Sequence, residues 1–182
     1  MGIKIGTSSI DDIKLGTTQV DKVMLNGKNL FNNNATPIYT NTASAEAIPT
    51  GVRVSVITSS GTNRTAIYKI MDTADHIGET FTLTTNMSAS GSNNAYVYIG
   101  LAAADGSNRS SKASLSESGS ISYTIEEDEN RPILVVAFYA TRNNTGQVGD
   151  YCDYTNIQFE KGSTPTTYEP YIGEVTLWQK SS

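Results

Sequence analysis

The fold of this chain is decided by the apolar run Pro132-Ile133-Leu134-Val135-Val136-Ala137-Phe138-Tyr139. A run that is apolar at successive positions predicts a strand at the centre of a sheet, covered on both of its faces. Shorter strand patterns occupy residues 52–56, 66–70, 81–84, 96–101, 121–125 and 151–160, with turn clusters rich in Ser, Asn and Gly between them. Residues 71–78 could hold one helical turn. This succession predicts an all-β, antiparallel jelly-roll or sandwich.

Composition agrees with a β fold and excludes several classes of function. Thr outnumbers Leu by 23 to 8, and Tyr reaches 10, which favours strands over helices. The net charge is −5 and no cluster of Lys or Arg occurs, so nucleic-acid binding is not expected. No apolar run approaches the ~18 residues that membrane insertion needs. The start of the chain does not read as a secretory signal, so synthesis in a cytoplasm is expected. The single cysteine, Cys152, allows no internal disulfide and is expected to be buried.

A repeat of ten residues runs from residue 3 to residue 32. Its aliphatic side chains recur in stripes and are predicted to mediate docking or oligomerisation: Ile3, Ile5, Ile10, Ile13, Leu15, Val20, Val23 and Leu25. Alternatively, these strands extend the main sandwich. Residues 32–50 are polar, carry Pro37 and Pro49, and are predicted to be a linker or an irregular first stretch of the next domain. The predicted domains are residues 1–31 (anchor), 32–173 (sandwich) and 174–182 (a final strand or tail).

The closing segment carries a resemblance. It reads Asn156-Ile157-Gln158-Phe159-Glu160-Lys161-Gly162-Ser163-Thr164-Pro165-Thr166-Thr167-Tyr168-Glu169-Pro170-Tyr171. This resembles the end of carbohydrate-binding-module-like jelly rolls in bacteriophage tail and baseplate proteins, and the repeat resembles N-terminal attachment segments of phage structural proteins. The resemblance implies a virion accessory protein on the particle surface, contacting other virion proteins and forming a homotrimer. Its function would be attachment to a host cell-surface polysaccharide or, alternatively, capsid, neck or tail decoration of the head-fibre type without a glycan ligand.

Candidate sites follow from the chemistry of single residues. The sequence contains one histidine, His76, and no nucleophile-elbow pattern that would supply a catalytic serine for it. We therefore expect that the protein is not an enzyme. Flat aromatic rings stack on sugars, and the candidate glycan-binding residues are Tyr96, Tyr98, Tyr139 and Trp178. The alternative is that Tyr96 and Tyr98, which share one strand face, cover the core or a subunit contact. Asp72, Asp75 and Glu79 form a possible site for a structural calcium ion, because calcium accepts carboxylate oxygens from loops. No cofactor besides calcium is expected.

Overall fold

The computed structural model of the protein describes residues 14–15, 18–19, 29–59, 64–91, 94–142 and 146–171. The chain divides into two units, and the sandwich belongs to the larger one, Gly27–Tyr171. In the other unit, strands Lys14–Leu15 (β1) and Thr18–Gln19 (β2) pair antiparallel. The other predicted docking residues, Ile3, Ile5, Ile10, Ile13, Val20, Val23 and Leu25, lie outside the described residues, as does Trp178. The docking role and the domain boundaries stay predictions.

Ten strands build the sandwich. They are β3 (Tyr39–Asn41), β4 (Ala43–Ile48), β5 (Gly51–Val56), β6 (Arg64–Asp72), β7 (Thr80–Ala89), β8 (Tyr96–Ala102), β9 (Ser110–Leu115), β10 (Gly119–Thr124), β11 (Ile133–Thr141) and β12 (Tyr151–Lys161). The front sheet has the order β3-β6-β11-β8-β9 and the back sheet the order β10-β7-β12-β5-β4. Without the edge strands β3 and β4, the remaining eight follow the jelly-roll order, and every pairing is antiparallel. The predicted fold class is confirmed.

The apolar run identified from the sequence is the central strand of the front sheet. Leu134, Val136 and Phe138 point into the core between the sheets, where Phe31 packs edge-on against Phe138. Of the outward-pointing residues of β11, Ile133, Val135 and Ala137 are buried as well, so most of the strand is covered on both sides. Cys152 is buried in the main core, as expected, and burial raises the pKa of its thiol to about 11.

The interpretation of residues 32–50 as a linker or irregular stretch is wrong in part, because β3 and β4 form there and extend one edge of each sheet. Both are edge strands with solvent on one side, so many of their side chains can be polar. The alternation of apolar and polar residues that predicts a strand is therefore weak in this stretch. The edge strand β9 was missed for the same reason. Among the described residues, the helical content is one 3-10 turn, Ala74–His76, inside the stretch predicted to hold a helical turn. No described helix is long and apolar enough to cross a membrane.

Candidate functional site

Three of the four predicted glycan-binding residues meet on the outer face of the front sheet. Tyr96 on β8 lies directly opposite Tyr139 on β11, and Tyr98 follows two residues later on the same face of β8. The ring centroids of Tyr96 and Tyr139 are 5.3 Å apart, and Tyr98 lies 6.4 Å from Tyr96 and 6.1 Å from Tyr139. Antiparallel pairing therefore brings together aromatic rings that are more than forty residues apart in the sequence.

The three rings differ in how much surface they leave for a ligand. Tyr98 is only 4% exposed, because its ring lies over Gly100, where an added Cβ would come within 2.8 Å of the ring. Tyr96 and Tyr139 remain partly exposed. Burial raises the pKa of both Tyr98 and Tyr139 above the usual value for a phenol. Tyr98 thus belongs to the packed part of the face, and Tyr96 and Tyr139 are the rings that a ligand could touch.

Two arginines stack on the aromatic rings of this face. The guanidinium carbon of Arg142 lies 4.3 Å from the ring centroid of Tyr96, and that of Arg109 lies 4.4 Å from the ring centroid of Tyr39. The charge of Arg109 also limits the rise in the pKa values of Tyr98 and Tyr139, as expected from a nearby cation. We call the four tyrosines and the two arginines the tyrosine face: Tyr39, Tyr96, Tyr98, Tyr139, Arg109 and Arg142.

The β8–β9 connection places Arg109 on this face. Within it, the amide of Gly106 donates to the carbonyl of Ala103, which closes a tight turn. Gly106 has a φ of +78° and is buried, and an added Cβ would lie 3.1 Å from the Cβ of Tyr39. The connection therefore reaches the edge strand β3, although β9 lies at the opposite edge of the same sheet. Arg109 follows three residues after this contact.

Tyr154, from the back sheet, fixes the positions of Tyr96 and Tyr139. Its ring is fully buried, and its hydroxyl accepts hydrogen bonds from the backbone amides of Tyr96 (3.1 Å) and Tyr139 (3.2 Å). The carbonyl oxygens of these two residues lie 2.8 and 2.7 Å from the same hydroxyl, which donates its single proton to one of them at a time. Burial raises the pKa of Tyr154 well above its usual value, so the hydroxyl keeps its proton. One phenol therefore ties the backbone of both exposed tyrosines to the core.

An open cleft of about 850 Å³ adjoins the tyrosine face at one end of the sandwich. It is lined by Met87, Ala89, Asn94, Ala95, Tyr96, Ser116, Glu117, Ser118 and Arg142. Tyr96 and Arg142 thus belong to both the cleft and the tyrosine face. The lining combines an aromatic ring and small apolar groups with an amide, hydroxyls, a carboxylate and a guanidinium. This is the mixture of an apolar wall and a few polar groups that small-molecule and sugar sites use.

The outer face of the back sheet has a different chemistry. Side-chain hydroxyls form a ladder across β7 and β10, with oxygen–oxygen distances of 2.8 Å for Thr80–Thr124, 2.7 Å for Thr82–Ser122 and 2.8 Å for Thr84–Ser120. Arg53 stacks on Tyr151, with 3.9 Å from guanidinium carbon to ring centroid, and forms two hydrogen bonds to the carboxylate of Asp153 at 2.6 and 2.8 Å. We call this surface the back face.

The closing segment that carries the sequence resemblance packs on the back face. Ile157 and Phe159 point into the core, as the alternation in the sequence predicts, and Gln158 and Glu160 point outward but are buried. The amide and hydroxyl of Thr166 donate to the Glu160 carboxylate at 2.8 and 2.7 Å, and the amide of Glu169 donates to the Gln158 side chain at 2.6 Å. In this structure, these motif residues hold the end of the sandwich together.

Two of the three residues proposed for calcium, Glu79 and Asp72, form hydrogen bonds with other side chains. Glu79 accepts hydrogen bonds from Lys161 and from the His76 ring, and chiefly the Lys161 bond lowers the pKa of its carboxyl group. Asp72 accepts a hydrogen bond from Lys69 at 2.8 Å. Within the part of the chain that the structure describes, no three carboxylate, His or Cys side chains gather as a metal site would require. The calcium ion stays a prediction.

Comparisons with known proteins leave the function open. No family model matches the chain, and no curated protein matches it. Among solved structures, a family 29 carbohydrate-binding module has a TM-score of 0.43 at 15% identity over 77% of this chain and 88% of its own. Accessory secretory protein 1, 2 and 3 of Streptococcus pneumoniae gives 0.39 at 12% over 79% and 97%. The glycosylation-associated Gap123 complex of Streptococcus agalactiae gives 0.39 at 11% over 79% and 45%. Likenesses this distant carry no argument for function.

Proposed function

We propose that the protein is a non-enzymatic glycan-binding protein, and that it holds its ligand on the tyrosine face and in the adjoining cleft. The observation that carries the proposal is the position of Tyr96. Its partly exposed ring contacts Tyr139 on one side and lines the cleft on the other. A saccharide placed there meets two aromatic rings together with amide, hydroxyl and guanidinium groups.

The physical basis is the amphipathic character of sugars. One face of a pyranose ring presents C–H groups that pack on an aromatic ring, while its hydroxyls seek hydrogen-bond partners around the edge. Asn94, Ser116 and Ser118 supply such partners in the cleft. A site this open binds weakly by itself. Several copies on one assembly would bind strongly, because the second contact is made at high effective concentration.

The proposed setting is the surface of a bacteriophage particle. Support comes from the sequence, namely the resemblance of the closing segment and of the ten-residue repeat to phage structural proteins. In this proposal residues 1–31 attach the protein to other virion proteins or form a homotrimer through their aliphatic stripes. The sandwich then points outward toward a host cell-surface polysaccharide.

A second function, decoration of the capsid, neck or tail without a glycan ligand, is favoured by one observation. Tyr98 is almost fully buried, and both Tyr39 and Tyr96 are already covered on one side by an arginine. In that case the aromatic rings would only complete the packing of the front sheet. The two functions differ in whether Tyr96 and Tyr139 contribute to any binding.

The test is saturable binding of the purified protein to host cells and to their isolated wall polysaccharide, presented in multivalent form. We expect Tyr139→Ala, alone or with Tyr96→Ala, to weaken binding by at least about tenfold, since a lost ring contact is worth ~1.5 kcal/mol. Tyr151→Ala is the matched control, because it removes a ring that also stacks under an arginine but lies on the back face.

Near-ultraviolet circular dichroism checks that each variant is folded. Equal binding by the three variants and the unaltered protein would contradict the site. Absence of binding at every valency would contradict the glycan function and leave the decoration role.

A further inference from the structure

The two arginines of the tyrosine face differ from the arginine of the back face in their partners. Arg109 and Arg142 are exposed, and neither forms an ion pair with any carboxylate in the described part of the chain. Arg53 also stacks on a tyrosine, yet its guanidinium is held by Asp153 at 2.6 Å. The same type of stack thus occurs on both faces, with a carboxylate partner on the back face and none among the described residues on the tyrosine face.

From this difference we infer that the ligand of the tyrosine face is an anionic saccharide, with carboxylate or phosphate groups that Arg109 and Arg142 bind. The inference rests on the proposed glycan-binding function and adds the class of ligand. It goes beyond aromatic stacking, which does not distinguish charged from neutral sugars.

The chemistry of a stacked guanidinium supports this assignment. Stacking on a ring uses the flat face of the group and leaves the in-plane N–H donors directed outward. Those donors form paired hydrogen bonds with a carboxylate or a phosphate, and such charge-assisted pairs are stronger than bonds to a neutral hydroxyl. Arg109 and Arg142 are therefore held in place by Tyr39 and Tyr96 while their donors remain unused by described carboxylates.

The arrangement of charges along the face also fits an anionic polymer. Arg142 stacks on Tyr96, Arg109 stacks on Tyr39, and the charges of both limit the rise in the pKa of Tyr139, so two cations lie near the exposed rings. The protein carries a net charge of −5, so an anionic ligand is repelled by the molecule as a whole. Two guanidinium groups that form no ion pair with a described carboxylate lie beside the rings and provide the local attraction that such a ligand needs.

One group opposes this attraction. Glu117 is exposed and is the one carboxylate among the described residues that line the cleft. Its charge would repel an anionic sugar that enters the cleft and would favour a position nearer to Arg142. Removal of this charge should therefore strengthen the binding of an anionic ligand and raise its affinity relative to that of a neutral ligand.

The experiment compares matched pairs of immobilised polysaccharides. One pair is polygalacturonate and its fully methyl-esterified form, which differ only in the carboxylate charge. The second pair is a bacterial wall polysaccharide that carries phosphate monoester substituents and the same polysaccharide after a phosphatase has removed them, which leaves its glycosidic backbone intact. We expect the anionic member of at least one pair to bind at least tenfold more tightly than its neutral partner, and the responding pair identifies the anionic group.

Single-residue variants distinguish binding of the anionic group by Arg109 and Arg142 from a general effect of the protein's net charge. Arg142→Met and Arg109→Met should each weaken binding of the anionic member by about tenfold, the amount expected for a lost charge-assisted hydrogen bond. Binding of the neutral partner should weaken much less, so that the ratio of the two affinities falls. Arg53→Met removes the same charge from the back face and should leave the preference intact. Glu117→Gln should strengthen anionic binding.

The outcomes are distinguishable. Equal binding of anionic and neutral members, with loss of both in Tyr139→Ala, would overturn the inference and keep the glycan function. Loss of the preference in Arg53→Met as much as in Arg142→Met would also overturn it, because the effect would then be one of net charge. If no polysaccharide of either pair binds, and host wall polysaccharide does not bind either, the glycan function itself is wrong.

Discussion

The two outer faces of the sandwich have the same antiparallel geometry but a different chemistry. On the back face, hydroxyls pair with hydroxyls, Arg53 pairs with Asp153, and the Glu160 carboxylate is held by Thr166. On the tyrosine face, the polar donors of Arg109 and Arg142 have no described carboxylate partner, and three of the four aromatic rings stay partly exposed.

This difference is the basis on which we propose the tyrosine face as the binding surface. Buried and half-buried polar groups normally form hydrogen bonds within the protein, and the polar groups of the back face follow that rule. A face that keeps aromatic rings and cations available for another molecule has the composition of a binding surface. The closing segment that carries the sequence resemblance belongs to the back face, so this segment and the candidate site lie on opposite sides of the sandwich.

The largest effect is expected from Tyr154→Phe, which removes the hydroxyl that joins the core to the tyrosine face. The amides of Tyr96 and Tyr139 would lose their acceptor, and we expect the free energy of unfolding to fall by about 3 kcal/mol. Glycan affinity should fall too, because the two rings lose their common support. Chemical denaturation and binding measurements on the same variant test both effects.

Tyr68→Phe is the matched control, since Tyr68 is also buried and its hydroxyl makes no hydrogen bond to a described residue. We expect it to change stability by less than about 1 kcal/mol. If Tyr154→Phe and Tyr68→Phe had equal, small effects, the hydroxyl of Tyr154 would not support the tyrosine face.

A smaller effect on stability, and none on binding, is expected from Glu160→Gln on the back face. The substitution replaces one carboxylate oxygen with an NH2 group, so one of the two hydrogen bonds from Thr166 loses its acceptor and the buried charge is removed, at a cost of about 2 kcal/mol. Glu126→Gln is the control, because its side chain is 70% exposed and its ion pair with Lys112 is worth little. A loss of glycan binding in folded Glu160→Gln would show that the back face takes part in recognition.

The smallest effect concerns alkaline pH. The pKa values of Tyr98 and Tyr139 are raised in the folded protein, so the unfolded chain loses these protons first, near pH 10. Their contribution to stability is complete below that pH and is lost as the pH rises above it. We expect the melting temperature to fall between pH 10 and 11, and to fall less in Tyr98→Phe. An identical fall in this variant would contradict the burial of Tyr98.

Much of the fold could be predicted from the sequence, because apolar alternation reports directly on burial. The run at residues 132–139 has no polar position, and the structure places it at the centre of the front sheet. Edge strands could not be predicted in the same way. The pattern Ser-Ser-Lys-Ala-Ser-Leu of β9 is stabilised by pairing with β8, and half of its surface faces water.

The candidate site could be predicted only in part. The spacing of Tyr96 and Tyr98 shows that they share a face, but their contact with Tyr139 depends on the register between β8 and β11. Arg109 reaches Tyr39 because a loop crosses the sheet, and no local pattern in the sequence reports such a crossing. Arg142, three residues after Tyr139, had a weak signal: it follows directly after the core strand.

The central claim, that the tyrosine face binds a saccharide and the back face does not, is tested most directly by nuclear magnetic resonance of the tyrosine rings. An oligosaccharide from the polymer that binds best would be titrated into protein labelled at tyrosine. We predict that the ring signals of Tyr96 and Tyr139 shift saturably while that of Tyr151 does not. Shifts at Tyr151 without shifts at Tyr96 and Tyr139 would contradict the claim and move the site to the back face.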